Sequence, residues 1–514
     1  MVFFTSFNLK IHLYYRLNLI SYLYLTLIII SMIAILGGNL LVSSIYSNNF
    51  LNNLGIYTLI YFFYFSVLFF GIFYAFIGIK LNNNQNIELQ NKFFKRITLL
   101  KFQKAKKTLR KICKIISRIT FIIGIIFGLV IIIGSFGVIT TFIAIISAQF
   151  GLFFSIIFFA NTILLLKLNN HKKNSKKYYR ISFIGFVVSG LLMTPFLLTD
   201  PIISDIDDTF SNAFGRDWRY RIPVEINNYF LKDPFSLMGY FLGTPPKDCI
   251  IEKNTLFYNG EGIKLYFDAY MPLDRGVGLP GENSTIIRIH GGGWTSGDKG
   301  VMNMMQMNKY FAAQGYIVFD IQYGLDDNFL FKGDPLTPKY KKGNFGIDDM
   351  VRHIGIFTKF LANHSEKYRA NLESIFISGG SAGGHLTCAV GLAIASGNYT
   401  DLFGENIIIK GLIPFYPANG QMGYFGISGS KNFKNPEMLI EENSPPCLIF
   451  QGTHDILNYF SVSEKIRDTY ITNGNNKCAI LWMPFGGHAS DFYFNGYYNQ
   501  MFLYYFERFI YLFH

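Results

Sequence analysis

The chain has 514 residues, half of them apolar, a length that suits two or three domains rather than one. Its formal charge of +13 is lopsided: before Asp200 there are 20 Lys and Arg against one acid, Glu88, and from Asp200 onward 26 against 32. Basic residues confined to short stretches between apolar runs exclude a uniformly basic nucleic-acid-binding protein and point to a membrane protein, and five cysteines are too few for a disulfide scaffold.

Five apolar runs of spanning length come first, at about 19–46, 56–79, 115–138, 141–166 and 181–198, and none contains an acidic residue. Each is long enough to cross ~30 Å of hydrocarbon as a helix. The third and fourth merge around Gly134 to Thr141, so four is the alternative count. The first run is too long, and too soon followed by another, to be a cleaved signal peptide. Lys10 and Arg16 precede the first run, and basic stretches connect the second to the third (Lys80 to Lys114) and the fourth to the fifth (Lys167 to Arg180). The other two connections carry no Lys or Arg. This alternation places the N-terminus and both basic connections in the cytoplasm, and an odd number of crossings carries everything after Leu198 to the extracytoplasmic side. The basic stretches read as solvated cytoplasmic faces in contact with anionic lipid. With no acidic residue inside a run to mark a proton or ion path, residues 1–199 are expected to anchor rather than transport.

Residues 200–248, aromatic and proline-rich, read as a linker or cap. From 249 to 514 the pattern changes to β-type runs at 263–270, 284–290, 316–322, 410–416 and 447–451, with helical stretches at 302–313 and 348–362. Strands alternating with helices predict an α/β domain with a doubly wound, mostly parallel sheet. Met302, Met304, Met305 and Met307 are read as packing on one helix face. Cys249, Cys388, Cys447 and Cys478 leave room for one or two bridges in this half, with Cys388 placed in the core.

The chemistry concentrates around Gly379-Gly380-Ser381-Ala382-Gly383. A strand-like run precedes it and an apolar helical stretch follows, the context a G-x-S-x-G turn requires. Glycines two residues either side permit a bend tight enough to lift the Ser381 hydroxyl above the sheet, and the following helix aims its free N–H groups at the same spot. Ser381 is therefore the candidate nucleophile. The run ending at Ile289 leads into His290-Gly291-Gly292-Gly293-Trp294, where bare backbone can approach a ligand oxygen. The N–H groups of Gly291, Gly292 and Ala382 are the candidate oxyanion hole. A serine needs a base, and in this arrangement the order along the chain is Ser, acid, His. His488, following the strand-like 479–483, is the candidate base, ahead of His385, His454 and the terminal His514. Asp455, following the preceding strand, is the candidate acid, ahead of the helical Glu464 and Asp468.

Taken together, H-G-G-G-W, Gly297-Asp298-Lys299, G-G-S-A-G-G-H-L, Phe415-Tyr416-Pro417, Q-G-T-H-D and G-G-H-A resemble the α/β-hydrolase superfamily in its hormone-sensitive-lipase-like carboxylesterase branch. The feruloyl-esterase-like, arylformamidase-like and isoprenylcysteine-methylesterase-like members are the most similar. The resemblance covers about Lys253 to the C-terminus and implies the same triad and oxyanion hole. The elbow departs from the branch in reading G-G-S rather than G-D-S, and residues 417–445 leave room only for a short cap. The expectation is a membrane-anchored serine hydrolase that cleaves a small-molecule or lipid carboxylic ester through an acyl-enzyme, with no metal or organic cofactor and with the lipid bilayer as partner. Acyl transfer, amide or formamide cleavage, and a catalytically idle adhesion or receptor domain are the alternatives. Sequons at Asn283, Asn363 and Asn398 matter only in a glycosylating host.

Overall fold

The computed structural model describes residues 15–44, 50–83, 103–169, 175–327 and 337–514. Lys10, the members Lys92, Lys95, Arg96 and Lys101 of the basic stretch read between the second and third runs, and Lys172 and Lys173 lie outside these residues. The chain divides into two compact units: 1–39, 54–134 and 146–197 form one, and 40–53, 135–145 and 198–514 the other.

The first unit is helical, formed mainly by α1 (Tyr15–Ser44), α2 (Phe50–Asn83), α3 (Gln103–Ile133), α5 (Gly151–Leu168) and α6 (Ser175–Leu197); the short α4 (Val138–Ser147), between α3 and α5 in sequence, falls largely in the second unit. Among the described residues five segments are long and apolar enough to cross a membrane: Ser21–Ser43, Asn53–Phe76, Arg110–Ile133, Gly151–Leu168 and Ser175–Phe214. That set is compatible with a multi-pass membrane protein. Helices α5 and α6 approach closely because Gly185 faces Thr162 with no room for a side chain, and Gly151 sits against the carbonyl of Leu192. Two buried polar side chains in the bundle bond neighbouring backbone: Asn161 Nδ2 donates to the Ser117 carbonyl at 2.9 Å and Ser155 Oγ to the Ser189 carbonyl at 2.8 Å. The run expected as one span over 141–166 is broken. It forms α4, then a turn at Ala148 to Phe150, then α5. Several residues read as a basic connection, Lys104 to Lys114, instead form the first turns of α3.

The second unit is built on eight strands: β1 (Ile250–Gly260), β2 (Ile263–Met271), β3 (Ser284–Ile289), β4 (Ile317–Ile321), β5 (Asn371–Gly380), β6 (Ile409–Phe415), β7 (Cys447–Gly452) and β8 (Cys478–Met483). Their order is β1-β2-β4-β3-β5-β6-β7-β8, parallel from β4 to β8, with β1 and β2 antiparallel at one edge. Strands β3, β4, β7 and most of β5 are buried on both faces, as their near-continuous Ile, Val, Leu and Phe content requires when helices cover both sides. The helices that matter below are α8 (Met305–Ala313), α9 (Ile347–Tyr368), α10 (Ala382–Ser396), α11 (Phe460–Thr472) and α12 (Tyr497–Phe513), with α7 (Thr199–Phe214) at the start of the unit. This is an α/β-hydrolase fold.

Residues 200–248 lie along α12. Phe210 and Phe214 pack on Trp218, Tyr505 and Phe509, and Gln500 and Glu507 of α12 accept the backbone N–H groups of Ser236 and Leu231. Met304, Met305 and Met307 are buried and Met302 is exposed. All five cysteines are free thiols, including Cys447 and Cys478, which are register partners on β7 and β8.

Candidate active site

Strand β5 ends at Gly380 and α10 begins at Ala382, so Ser381 alone makes the turn, at φ 58° and ψ −118°. An L-residue holds that strained conformation only where its surroundings enforce it. The enforcement is visible: a Cβ on Gly379 or on Gly383 would lie 2.4 or 2.2 Å from the Ile289 carbonyl oxygen at the end of β3. The two flanking glycines thus let the elbow close against the neighbouring strand.

The glycine loop after β3 packs on the same elbow, a Cβ on Gly291 falling 2.7 Å from the Gly380 carbonyl oxygen. Among the described hydrogen bonds none takes up the N–H of Gly291, Gly292 or Ala382. Three free donors beside a raised serine hydroxyl suit an oxygen that acquires charge. Trp294 closes the loop by donating Nε1–H to His385 Nδ1 at 3.2 Å, and His385 Nε2 in turn bonds the Phe433 carbonyl at 2.7 Å. Since the indole only donates, His385 accepts at Nδ1 and donates from Nε2. Burial lowers its pKa to about 4, so it is a neutral strut between glycine loop and elbow helix.

His488 and Asp455 meet across the ends of β8 and β7, with His488 Nδ1 2.8 Å from Asp455 Oδ2. The other carboxylate oxygen accepts the backbone N–H groups of Leu457 and Asn458, both at 2.9 Å. Asn458 also links this pair to the serine, its Nδ2 lying 3.5 Å from Ser381 Oγ while donating to the Tyr416 carbonyl. No hydrogen bond joins Ser381 Oγ to the His488 ring in this geometry, and contacts of this kind commonly tighten only around substrate. Glu464 and Asp468 lie on α11, and His454 turns toward Phe485.

Two further groups lie against His488. Tyr416, at φ 36°, packs at a tilt against the His488 ring with centroids 4.6 Å apart and donates its hydroxyl to Asp491 Oδ1 at 2.8 Å. Burial raises the pKa of Asp491, with Tyr416, Arg288 and His488 opposing it. Tyr416 was visible in the F-Y-P motif, but Asp491 and Asn458 follow the histidine and the acid by three residues with no pattern of their own. A surface concavity at the opposite edge of the strands, lined by Ile394, Tyr399, Phe403 and Ile408 among others, contains neither serine nor histidine.

Residues 267–417 match the BD-FAE family, a stretch that includes the glycine loop and the elbow and ends before Asp455 and His488. Among solved structures, esterase B from Lactobacillus rhamnosis is 19% identical, with a TM-score of 0.39 over 48% of this chain and 81% of that one. Esterase 2 of Thermogutta terrifontis in its apo form is 20% identical, with a TM-score of 0.38 over 52% and 91%. No curated protein matches the chain in sequence.

Proposed function

We propose that the chain is a membrane-anchored serine esterase acting on carboxylic esters. Ser381 Oγ attacks the ester carbonyl carbon as His488 Nε2 takes its proton. The oxyanion rests on the N–H groups of Gly291, Gly292 and Ala382. The C–O bond to the alcohol then breaks, and His488 returns the proton to the departing alkoxide. Water, deprotonated by the same imidazole, attacks the acyl-serine and releases the acid. Asp455 keeps the imidazole in the tautomer with Nδ1 protonated and stabilises the imidazolium that forms. No step calls for a metal or organic cofactor.

The observation that carries this reading is the Asp455–His488 pair at 2.8 Å on the strand edge where the strained Ser381 turns outward. Charge alternation along the first 200 residues supports a cytoplasmic N-terminus and a catalytic unit on the far side. Both parts are tested by a membrane-impermeant fluorophosphonate applied to intact cells. The wild type is expected to label without permeabilisation and Ser381→Ala not at all. Labelling that survives the substitution removes the nucleophile, and labelling seen only after permeabilisation reverses the topology.

A bilayer-borne ester is favoured over a freely soluble one by the segment 135–145. It belongs to the catalytic unit although in sequence it lies between two membrane-length helices. Ser135 Oγ donates to the His454 carbonyl at 3.4 Å, and Ala144 fills the space a side chain on Gly487 would occupy, so the segment rests on the loops carrying acid and base. Its outer positions Phe136 and Ile139 are about three-quarters exposed (76% and 77%) and Phe142 is half exposed, while the loop after Asp455 adds exposed Leu457, Tyr459 and Phe460. Apolar groups gathered on one rim suit acyl chains. The double substitution Phe136→Ser with Phe142→Ser is expected to slow hydrolysis of a long-chain ester presented in phosphatidylcholine vesicles on the order of tenfold or more. Hydrolysis of p-nitrophenyl acetate should be unaffected, and an equal loss on both substrates would remove the lipid-facing role.

A further inference from the structure

Behind the glycine loop lies a buried ionic cluster that the triad does not use. Lys341, with no exposed side-chain surface, places Nζ 3.0 Å from His290 Nε2 and 2.9 Å from Asp298 Oδ1. It is brought there by a short pairing of Leu325-Asp326 with Lys342-Gly343. Asp298 also accepts from Gln322 Nε2 at 2.7 Å, and Gln322 Oε1 accepts the Tyr266 N–H. His290 Nδ1 lies 2.8 Å from the Gly291 carbonyl oxygen. The face of the imidazole stacks on Tyr323 at 4.5 Å, and the Tyr323 hydroxyl donates to the His290 carbonyl at 2.9 Å.

An ammonium group has donors and no acceptor, so Nε2 of His290 must accept and its proton must sit on Nδ1. That proton is then donated to the Gly291 carbonyl. In a planar trans peptide the C=O of Gly291 and the N–H of Gly292 point in opposite directions, so holding the carbonyl back on His290 turns the Gly292 N–H outward. The slot taken by the carbonyl exists because Gly297, at φ +92°, has no Cβ, which would stand 2.5 Å from that oxygen.

We propose that Lys341 is a positioning residue for the oxyanion hole, setting the His290 tautomer and through it the orientation of the Gly291-Gly292 peptide. This rests on the esterase reading above. Burial lowers Lys341 to about 8 with Asp298 opposing, which leaves it charged at neutral pH, and burial together with Lys341 holds His290 near 3, hence neutral. Without the lysine donor His290 is free to carry its proton on Nε2. The Gly291 carbonyl then loses its partner, and the peptide can turn its oxygen toward the reacting carbonyl.

The test uses the full chain in detergent with p-nitrophenyl butyrate. Lys341→Met is expected to lower kcat on the order of 10²-fold, with KM within about twofold, the loss typical of one oxyanion donor. Lys341→Gln, whose amide can still donate to Nε2, should recover at least about tenfold of that loss. A kcat for Lys341→Met close to wild type, or a Lys341→Gln no better than the methionine variant, overturns the proposal. Should Lys341→Met fail to fold, ¹⁵N shifts of His290 in the wild type decide: protonated Nδ1 and bare Nε2 support the assignment, and the reverse tautomer sinks it. If the esterase reading itself is wrong, wild type and Ser381→Ala will be equally inactive while the His290 tautomer remains readable.

Discussion

Replacing Ser381 with alanine is expected to lower ester hydrolysis by about 10⁶-fold in kcat, leaving KM for the ester nearly unchanged. In the proposed mechanism the alanine removes the atom that attacks the ester but leaves the three free N–H groups and the apolar rim, so binding survives while chemistry does not. His488→Ala should cost about as much, and the double variant hardly more than either, because nucleophile and base act as one unit. Steady-state hydrolysis of p-nitrophenyl butyrate by the purified full chain measures all three. Near-additive losses would mean that serine and histidine do not serve the same step. The Ser381 turn itself should persist in the alanine variant, since it is imposed by the contact of Gly379 and Gly383 with the Ile289 carbonyl.

Asp455→Asn is expected to lower kcat by about 10⁴-fold with little change in stability. The size follows from which oxygen does what. Oδ1 is held by two backbone N–H groups, at Leu457 and Asn458, and Oδ2 faces His488 Nδ1. An asparagine keeps its carbonyl oxygen on the two N–H donors, so its NH₂ is left facing the imidazole. His488 must then accept at Nδ1 and carry its proton on Nε2, which leaves Nε2 unable to take the serine proton. A loss smaller than about tenfold would show that Asp491, the other carboxylate beside the base, supports the imidazole instead.

The strands, the elbow and the glycine loop were legible because local chemistry writes them. Doubly buried parallel strands need unbroken apolar runs, and a turn as tight as that at Ser381 needs glycines at fixed offsets. The membrane-length helices were legible in number, since length and apolarity set that, but the extent of the fourth was not. The apolar run 141–166 carries no mark of the turn at 148–150, which is associated with the close contact of Gly151 with the Leu192 carbonyl. The packing partner of 200–248 was not legible for a similar reason: a Phe and Trp cluster signals burial without saying against what, and its partner, α12, is nearly 300 residues away.

Ser381, Asp455 and His488 could be nominated from sequence because each follows the end of a strand in a recognisable order. Asn458, Tyr416 and Asp491 around the base, and Lys341 behind the glycine loop, could not be assigned their roles in this way. Lys341 and His290 stand 51 positions apart, and nothing near Lys341 distinguishes it from the 45 other Lys and Arg of the chain.

By itself, the sequence determined the series of membrane-length apolar helices, the mostly parallel sheet and the strained serine, all consequences of local backbone geometry and solvent preference. Tertiary structure alone decided which tautomers His290 and His385 adopt and which peptide N–H groups of the glycine loop and elbow are left free. Those depend on which donor or acceptor arrives from a distant strand, and a proton goes where the nearest fixed partner leaves it room.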